Sequence, residues 1–333
     1  MKIFIIGCGS IGERHIRNLL KLGYRDITAV DTDNLRLEHL RNEYKISVSH
    51  FSHLDSILDN NDQKISIVSA PNHLHVKIAL LCAKYRSHIF IEKPLSHAHE
   101  GIYALHNLVR KNKLTSMVAC NMRFYPAINY IKECLDKGIF GRIFHVKAEF
   151  GLYLPSWRPT EDYRNNYGAK KKEGGGVLLD LYHEFDYLYW FFGLPKRIFC
   201  NCMKLGDLEI NTEDNAELIL EYGKNKPFIC NLHLDYLQYR YSRGITIVGE
   251  KCMLTWNWHD MRVRLWDKKG IAMEEFNFKG YDVNNMYLEE IKYFIGCVHK
   301  KKQTMTEVKE AKKIQSVIFK AKISSAKRIM ISV

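Results

Sequence analysis

Apolar residues in the first 120 positions alternate between short unbroken runs and runs with helical spacing. A run such as Ile3-Phe4-Ile5-Ile6 is apolar at every position, which is typical of a strand buried on both faces of a parallel sheet. The expected strands are 2–6, 27–30, 46–48, 64–70, 88–91 and 115–120, and the expected helices are 11–20, 34–44, 53–58, 72–84 and 97–111. Strands that alternate with helices predict right-handed crossovers and a doubly wound parallel sheet.

The pattern changes after residue 121. A helix over 125–137 is followed by a strand of alternating polarity at 142–150, a long loop over 151–175 and an apolar helix over 177–192. Strand-like runs then occupy 196–278, and two helices over 283–299 and 306–327 finish the sequence. We therefore expect two domains, 1–121 and 122–333. The second is an α+β domain on a large, mostly antiparallel open sheet, with C-terminal helices able to pack back towards the first domain.

The composition is that of a globular protein. Of 333 residues, 46% are hydrophobic and 26% are charged, and no apolar run approaches the roughly 20 residues of a membrane span. Nine cysteines at scattered positions do not form a disulfide framework, which favours a reduced, cytoplasmic protein. The one close pair, Cys200 and Cys202, suits a strand better than a zinc site, and we predict no metal.

The formal net charge of +13 invites the hypothesis of a nucleic-acid partner. Ten basic residues and two acidic ones lie between Lys300 and Arg328. The same segment places apolar residues at helical spacing from Val308 to Ala321, so the lysines fit the solvated face of a packed helix. No nucleic-acid motif accompanies them. We therefore expect neither a nucleic-acid nor a membrane partner.

A glycine-rich turn follows the first strand: Gly7-Cys8-Gly9-Ser10-Ile11-Gly12. Gly7 permits a sharp reversal, Gly9 lets a pyrophosphate approach the backbone, and Gly12 lets the next helix pack closely on the strand. The N–H groups at the start of that helix, at Ser10 and Ile11, would face the phosphates. A glycine-rich turn without a ligand is the alternative. The strand before the turn and the amphipathic helix after it favour a dinucleotide site.

Asp31 ends the second strand, nineteen residues after Gly12, where an acidic side chain binds a ribose 2′-hydroxyl. Its carboxylate would repel a 2′-phosphate, and Asp33 adds a second negative charge nearby. No arginine follows immediately, although Arg36 lies within a helical turn. The sequence therefore predicts NAD as the cofactor in preference to NADP.

Two further strands end in polar turns. The strand over 64–70 continues into Pro71-Asn72, and the strand over 88–91 continues into Glu92-Lys93-Pro94. The alternatives are a helix N-cap for Asn72, a surface position for His75 and a simple surface turn at Glu92-Lys93. Open parallel sheets bind ligands outside the carboxyl ends of their strands. On that basis the predicted cofactor-binding residues after these strands are Ala70, Pro71, Asn72, His75, Glu92 and Lys93.

These motifs in this order resemble the Gfo/Idh/MocA family of oxidoreductases, named for glucose–fructose oxidoreductase, inositol dehydrogenase and MocA. Two later segments extend the resemblance to nearly the whole chain: Asn121-Met122-Arg123-Phe124-Tyr125-Pro126 and Gly174-Gly175-Gly176-Val177-Leu178-Leu179-Asp180. The resemblance implies a Rossmann domain and a sheet-based second domain that assembles into a homodimer or homotetramer. It also implies nicotinamide-dependent oxidation or reduction of sugars, cyclic polyols or their derivatives.

The resemblance further implies three catalytic residues, Lys93, Asp180 and His183. The family's lysine contacts nicotinamide and substrate and helps proton transfer, and an aspartate and a histidine on a helix of the second domain complete the set. The family often spaces these two residues four apart, whereas here they are three apart, and both spacings share one helix face. A histidine can accept a hydroxyl proton near neutral pH, and Asp180 would orient it or bind a substrate hydroxyl. Whether Lys93 or His183 is the ultimate proton acceptor stays open.

The loop over 151–175 carries aromatic and basic residues that suit a sugar face with an anionic group: Trp157, Arg158 and Tyr163. The other predicted substrate-binding residues are Arg123, Asp180 and His183. Together they favour an acidic or nucleotide-linked sugar of surface-glycan metabolism, with a solvated loop as the alternative. Two other functions stay open, an NAD-retaining enzyme that cleaves glycosides by transient oxidation and a non-catalytic NAD-binding sensor.

Overall fold

The computed structural model describes residues 1–59, 62–157, 159 and 161–333 in two compact units. The first unit comprises Met1–Asn121 and Val283–Lys312, and the second comprises Met122–Asp282 and Lys313–Val333. The described strands, β1 to β15, are Lys2–Ile6, Ile27–Asp31, Ser47–His50, Lys64–Val68, His88–Ile91, Ser116–Val118, Ile143–Tyr153, Arg197–Met203, Asn215–Tyr222, Phe228–Asp235, Leu237–Gly249, Met253–Asn257, Arg262–Trp266, Ala272–Asn277 and Ile331–Ser332. The described helices, α1 to α11, are Ser10–Lys21, Asn34–Tyr44, Leu54–Leu58, His75–Lys84, Ile102–Lys111, Pro126–Asp136, Leu154–Trp157, Val177–Asp180, Tyr182–Phe192, Asn284–His299 and Val308–Lys327. None of these helices is long and apolar enough to cross a bilayer.

The first unit contains a parallel six-stranded sheet in the order β3-β2-β1-β4-β5-β6. Its central strand is apolar on both faces, and Ile3, Phe4, Ile5 and Ile6 are each 0% exposed. The strand order reverses at β1, which pairs with β2 on one side and β4 on the other. Such a switch point is where open parallel sheets bind ligands. The turns that follow β1, β4 and β5 lie at this edge.

A segment from the C-terminal half completes the first unit. α10 packs against α1, and the Phe294 ring meets the Phe90 ring edge-on at 5.5 Å. The Val118 N–H donates to the Thr306 carbonyl at 2.8 Å, and the Thr306 hydroxyl donates to the Val118 carbonyl at 2.7 Å. Residues 283–312 thus cover the edge strand β6, whose backbone groups would otherwise be unpaired. Residues 283–312 lie within the second domain of the expected division at 121/122, which allowed C-terminal helices to pack back towards the first domain.

The second unit contains a nine-stranded sheet in the order β14-β13-β12-β11-β7-β10-β9-β8-β15. β7 and β10 pair in parallel, and the other neighbours are antiparallel. Burial alternates along β9, where Ala216, Leu218 and Leu220 are buried and Glu217 and Ile219 are exposed. The predicted fold class is confirmed: a doubly wound parallel sheet, followed by an α+β domain on a large, mostly antiparallel sheet.

Several predicted elements differ in their bounds, and three differences have a clear cause. The helix expected over 97–111 begins at Ile102, because Gly101 before it adopts a φ of +75°. The apolar helix expected over 177–192 is divided into α8 and α9, since Leu181 between them has a ψ of 40°. The loop expected over 151–175 is partly regular, because β7 continues to Tyr153 and α7 follows it.

Candidate active site

The glycine-rich turn lies at the switch point of the first sheet, directly after β1. Gly7 has a φ of +89°, and a Cβ there would lie 2.5 Å from the backbone nitrogen of Ala70. The turns after β1 and β4 therefore pack backbone against backbone. A Cβ at Gly12 would overlap the carbonyl oxygen of Gly7, so α1 packs directly against the turn.

The N-terminus of α1 fits a phosphate group. Its N-cap is Gly9, which supplies no capping side chain, and a Cβ at this position would meet nothing within 4 Å. Ser10 is exposed and Ile11 is partly buried. The first N–H groups of a helix bind anions, and the open space at Gly9 lets a pyrophosphate approach them. The turn therefore has the form that a bound dinucleotide requires.

Asp31 closes the turn from the end of β2. Its Oδ2 accepts a hydrogen bond from the Cys8 N–H at 2.6 Å, and its Oδ1 accepts from the N–H groups of Thr32 and Asp33 at 2.8 and 3.0 Å. The Arg36 guanidinium lies 3.4 Å from the carboxylate. Backbone N–H groups thus fix the carboxylate where the motif places it, and Arg36 offsets part of its charge.

His75 ties the turn after β4 to the turn after β5. Its Nδ1 lies 2.8 Å from the carbonyl oxygen of Pro94, its Nε2 lies 2.8 Å from that of Ala70, and it is 1% exposed. Burial lowers the pKa of the imidazole, and both carbonyl contacts oppose this effect. Both ring nitrogens thus contact backbone oxygens and link the two turns, and the contact of His75 with the cofactor stays a prediction. Asn72 is 4% exposed at the start of a short 3₁₀ turn, and Pro71 before it is exposed.

Glu92 and Lys93 follow β5 at the same edge of the sheet. The Nε2 of His15, from α1, lies 2.7 Å from Glu92 Oε1, and the imidazole is fully buried. Burial raises the pKa of Glu92, but the hydrogen bond from His15 and the charge of Lys93 outweigh it and lower the pKa. Glu92 Oε2 accepts from the backbone N–H of Lys93 at 3.3 Å. The ionised carboxylate therefore fixes the backbone at Lys93, whose side chain is partly buried.

Asp180 ends α8 in the second unit and is 2% exposed. The Tyr167 hydroxyl donates to Oδ1 at 2.6 Å, and the Tyr236 hydroxyl donates to Oδ2 at 2.9 Å. A Cβ at Gly168 would lie 3.2 Å from the same carboxylate. Burial, with a contribution from Asp180, raises the pKa of Tyr236, so that this hydroxyl remains a donor. Asp180 thus anchors the loop that carries Tyr167, and its catalytic role stays a prediction.

His183 lies in the first turn of α9 and is partly buried. Glu184 and Asp186, which follow it, are each 0% exposed. Glu184 Oε1 accepts from Arg243 Nε at 2.7 Å, and the Asp186 carboxylate accepts two bonds from Arg123 at 2.9 and 2.8 Å. Burial raises the pKa of Asp186, and Arg123 opposes this effect. Arg123 is 3% exposed, so the structure favours a structural role for it, and its predicted contact with substrate stays a prediction.

The predicted substrate-binding loop is described in part. Trp157 ends α7 and is 40% exposed. The Tyr163 hydroxyl accepts a hydrogen bond from the backbone N–H of Glu209 at 3.1 Å. Arg158 lies outside the described residues. The roles of these three residues in substrate binding stay predictions.

Sequence analysis missed five residues that shape these surroundings. The side-chain hydrogen bonds of these residues join positions that are 13 to 77 residues apart in the sequence. None of the five residues belongs to a local motif. They are His15, Tyr167, Glu184, Tyr236 and Arg243. Glu184 alone carried a signal, because an acidic residue in a mostly apolar helix is expected to be paired when it is buried.

Two family models match most of the chain. Residues 1–120 match the oxidoreductase family with an NAD-binding Rossmann fold, and residues 128–255 match the Gfo/Idh/MocA C-terminal domain. The chain belongs to the Gfo/Idh/MocA family. The resemblance inferred from the motifs is thereby confirmed, together with the NAD-binding Rossmann domain at the N-terminus.

Individual relatives align with different shares of this chain. Myo-inositol 2-dehydrogenase of Thermotoga maritima is 25% identical over 303 residues, 89% of this chain and 87% of the relative. Levoglucosan dehydrogenase of Pseudarthrobacter phenanthrenivorans is 33% identical over 127 residues, but this match spans only 38% of this chain and 32% of the relative. The WlbA dehydrogenase of Bordetella pertussis, solved with NADH and UDP-GlcNAcA, aligns with a TM-score of 0.84 at 19% identity, covering 100% of this chain and 98% of that one. The likeness to the solved structure concerns the fold.

Proposed function

We propose that this protein is an NAD-dependent dehydrogenase or reductase that transfers hydride between nicotinamide and a hydroxyl or carbonyl carbon of a sugar, sugar acid, nucleotide sugar or cyclic polyol. One observation carries the proposal: the open glycine turn at the switch point and the Lys93 turn lie at the same edge of one sheet. The family membership and the names of the relatives support it.

The chain's own residues would bind the cofactor and transfer the proton as follows. The first N–H groups of α1, with Gly7, Gly9 and Gly12, would hold the pyrophosphate, and Asp31 would accept a hydrogen bond from a ribose hydroxyl. NAD, when bound, supplies the hydride acceptor or donor. The carbinol proton leaves to His183 as the alcohol is oxidised, with Lys93 sharing or relaying it. Reduction reverses these transfers.

The substrate that we infer is anionic, an acidic or nucleotide-linked sugar used in surface-glycan metabolism. The exposed Trp157 ring supplies an apolar face of the kind that stacks on sugars, on a loop rich in basic residues. A fold relative solved with UDP-GlcNAcA supports this class.

We also infer a homodimer or homotetramer that assembles through the nine-stranded sheet. Ile219 and Ile229 are 38% and 45% exposed on β9 and β10, and exposed apolar side chains on a sheet face favour association. A purely monomeric light-scattering mass at micromolar concentration would contradict this assembly.

All nine cysteines are free thiols, which supports a reducing, cytoplasmic location.

The function is tested by Lys93→Ala and His183→Ala, assayed by nicotinamide absorbance with sugar acids, amino sugars and nucleotide sugars. Each variant should bind NAD within a few-fold of the parent and turn over about 10²–10⁴-fold more slowly, as expected for loss of a positioned acid–base group. The double variant should lose little more, because the two groups would act on one proton. The matched controls are Lys84→Ala, at an exposed position of the first unit, for Lys93→Ala, and His145→Ala, at an exposed position of the second unit, for His183→Ala.

Near-parent turnover in both variants would overturn the assignment of the reaction. Tightly retained NAD, with glycoside cleavage and no net NADH, would instead identify the glycoside-cleaving alternative. NAD binding without turnover of any substrate class would indicate a sensor.

A further inference from the structure

Arg243 and Glu184 form an ion pair in the interior of the second unit. Arg243 lies on β11 and Glu184 on α9, with Nε and Oε1 2.7 Å apart and side-chain exposures of 5% and 0%. The guanidinium also stacks over the Phe150 ring at 4.5 Å and approaches the Trp258 ring at 6.0 Å. Glu184 raises the pKa of Arg243 against the opposing effect of burial, so the guanidinium stays charged. The pair is therefore ionised, buried and in contact with aromatic rings.

Stability alone does not explain such a pair. Removing two charges from water costs several kcal/mol per ion, and apolar residues of similar volume often replace a buried ion pair without loss of stability. Part of the guanidinium is also left unsatisfied, because its Nη2 has no hydrogen-bond partner among the residues that the structure describes. Apolar packing is not directional, whereas the hydrogen bonds of an ion pair are. An ion pair therefore fixes the relative orientation of the two elements that carry it.

The orientation fixed here is that of α9. At about 100° per residue, Glu184 and Asp186 project from nearly opposite sides of this helix. Asp186 is held by Arg123 in a second buried pair. Anchors on two sides prevent the helix from rolling about its axis. His183 directly precedes Glu184, so the direction of its side chain depends on the same roll.

We propose that Arg243 is a positioning residue that acts through Glu184 to fix the roll of α9 and the direction of the His183 imidazole. The inference rests on the role proposed above for His183. The inference predicts that replacing the pair by apolar residues preserves thermal stability but lowers turnover.

The test compares Arg243→Met with the double variant Glu184→Leu, Arg243→Met. The single variant leaves a buried carboxylate without its cation and should lower both Tm and turnover. The double variant removes the uncompensated charge and should recover most of the Tm, while kcat stays at least tenfold below the parent and KM stays within about threefold. The matched control is Arg262→Met with Glu275→Leu, a half-exposed pair in the same unit, which should leave kcat unchanged.

A conservative variant keeps the inference testable where the apolar replacements fail to fold. Arg243→Lys retains the charge but loses the planar fork, so Tm should stay near the parent value while kcat falls several-fold at unchanged KM. Parent-like kcat in Arg243→Lys or in the double variant would overturn the inference. His183→Ala is measured in parallel: if it keeps parent turnover, the role of His183 itself is wrong, whereas an inactive His183→Ala beside a fully active double variant overturns only the positioning role.

Discussion

The glycine-rich turn of the first unit is built mainly from backbone contacts, whereas the second unit holds its candidate helix with buried charged side chains. At the switch point, Gly7 and Ala70 touch through main-chain atoms, and Asp31 is held by N–H groups. In the second unit, α9 is held by Arg123 and Arg243, which approach Asp186 and Glu184 from segments 63 and 59 residues away. A cofactor turn is thus encoded locally, while the orientation of the helix that carries His183 depends on distant partners.

This difference explains what the sequence could predict. Glycine spacing restricts the backbone directly, so the turn after β1 and its position at the switch point could be inferred from a short motif. Asp31 could be inferred from its distance along the sequence from that motif. The alternation of strands and helices likewise predicted the first sheet. The ligand contacts predicted for His75 and Arg123 stay predictions. The motifs that contain these residues could not show their carbonyl and carboxylate partners, because those contacts depend on the tertiary packing of segments distant in sequence.

The largest effect in this comparison is expected for Gly12→Ala. The added methyl would overlap the carbonyl oxygen of Gly7, so α1 must shift away from the turn. NAD affinity should fall by about 100-fold or more, and the first unit should also lose stability, since main-chain atoms cannot move as an overpacked side chain can. Isothermal titration with NAD and thermal unfolding measure the two effects.

Gly296→Ala, inside α10, is the matched control for Gly12→Ala. A Cβ at Gly296 would meet nothing within 4 Å, and alanine is about 1 kcal/mol more favourable than glycine in a helix interior. This variant should bind NAD normally and melt slightly higher. Normal NAD affinity in Gly12→Ala would show that the turn tolerates a side chain and that its backbone contact is not required.

A smaller effect on affinity is expected from changes at Asp31 that shift the preference between NAD and NADP. NAD should bind more tightly than NADP, because the Asp31 carboxylate would repel a 2′-phosphate. Asp31→Ser with Thr32→Arg should shift the preference towards NADP by at least tenfold. Arg36 lies 3.4 Å from Asp31, so Asp31→Ser alone should already release a cation for the phosphate and give part of the shift. Titration of both cofactors into cofactor-free protein measures this.

Adding Arg36→Gln to Asp31→Ser separates the two contributions to cofactor preference. If Arg36 supplies the partial shift, this pair of changes should return the NADP affinity towards the parent value. Equal or tighter binding of NADP by the parent protein would contradict the prediction for Asp31.

The smallest effect concerns His233, a charged group on the large sheet. Its Nδ1 lies 2.5 Å from Glu217 Oε1 and its Nε2 lies 2.7 Å from Asp235 Oδ2. The bond to Asp235, helped by Glu217 and opposed by burial, raises the pKa of His233 to about 9. Since the folded pKa lies above the unfolded value, the stabilisation is fully present below about pH 6.5 and is lost as pH rises through 9.

The upper bound for this stabilisation is about 3 kcal/mol from the pKa difference, and solvent at the 27% exposed side chain should reduce it to about 1–2 kcal/mol. His233→Gln should therefore lower the free energy of unfolding by that amount at pH 6 and by much less at pH 10, as measured by urea denaturation. Against the effect of burial, His233 helps to lower the pKa of Asp235, which is ionised at both pH values, and groups that do not contact His233 cancel in the difference. His145→Gln, at an exposed position of β7, is the matched control variant. A loss that is equal at both pH values would mean that His233 stabilises the sheet by packing alone, and the second unit's charges would then matter only where they are fully buried.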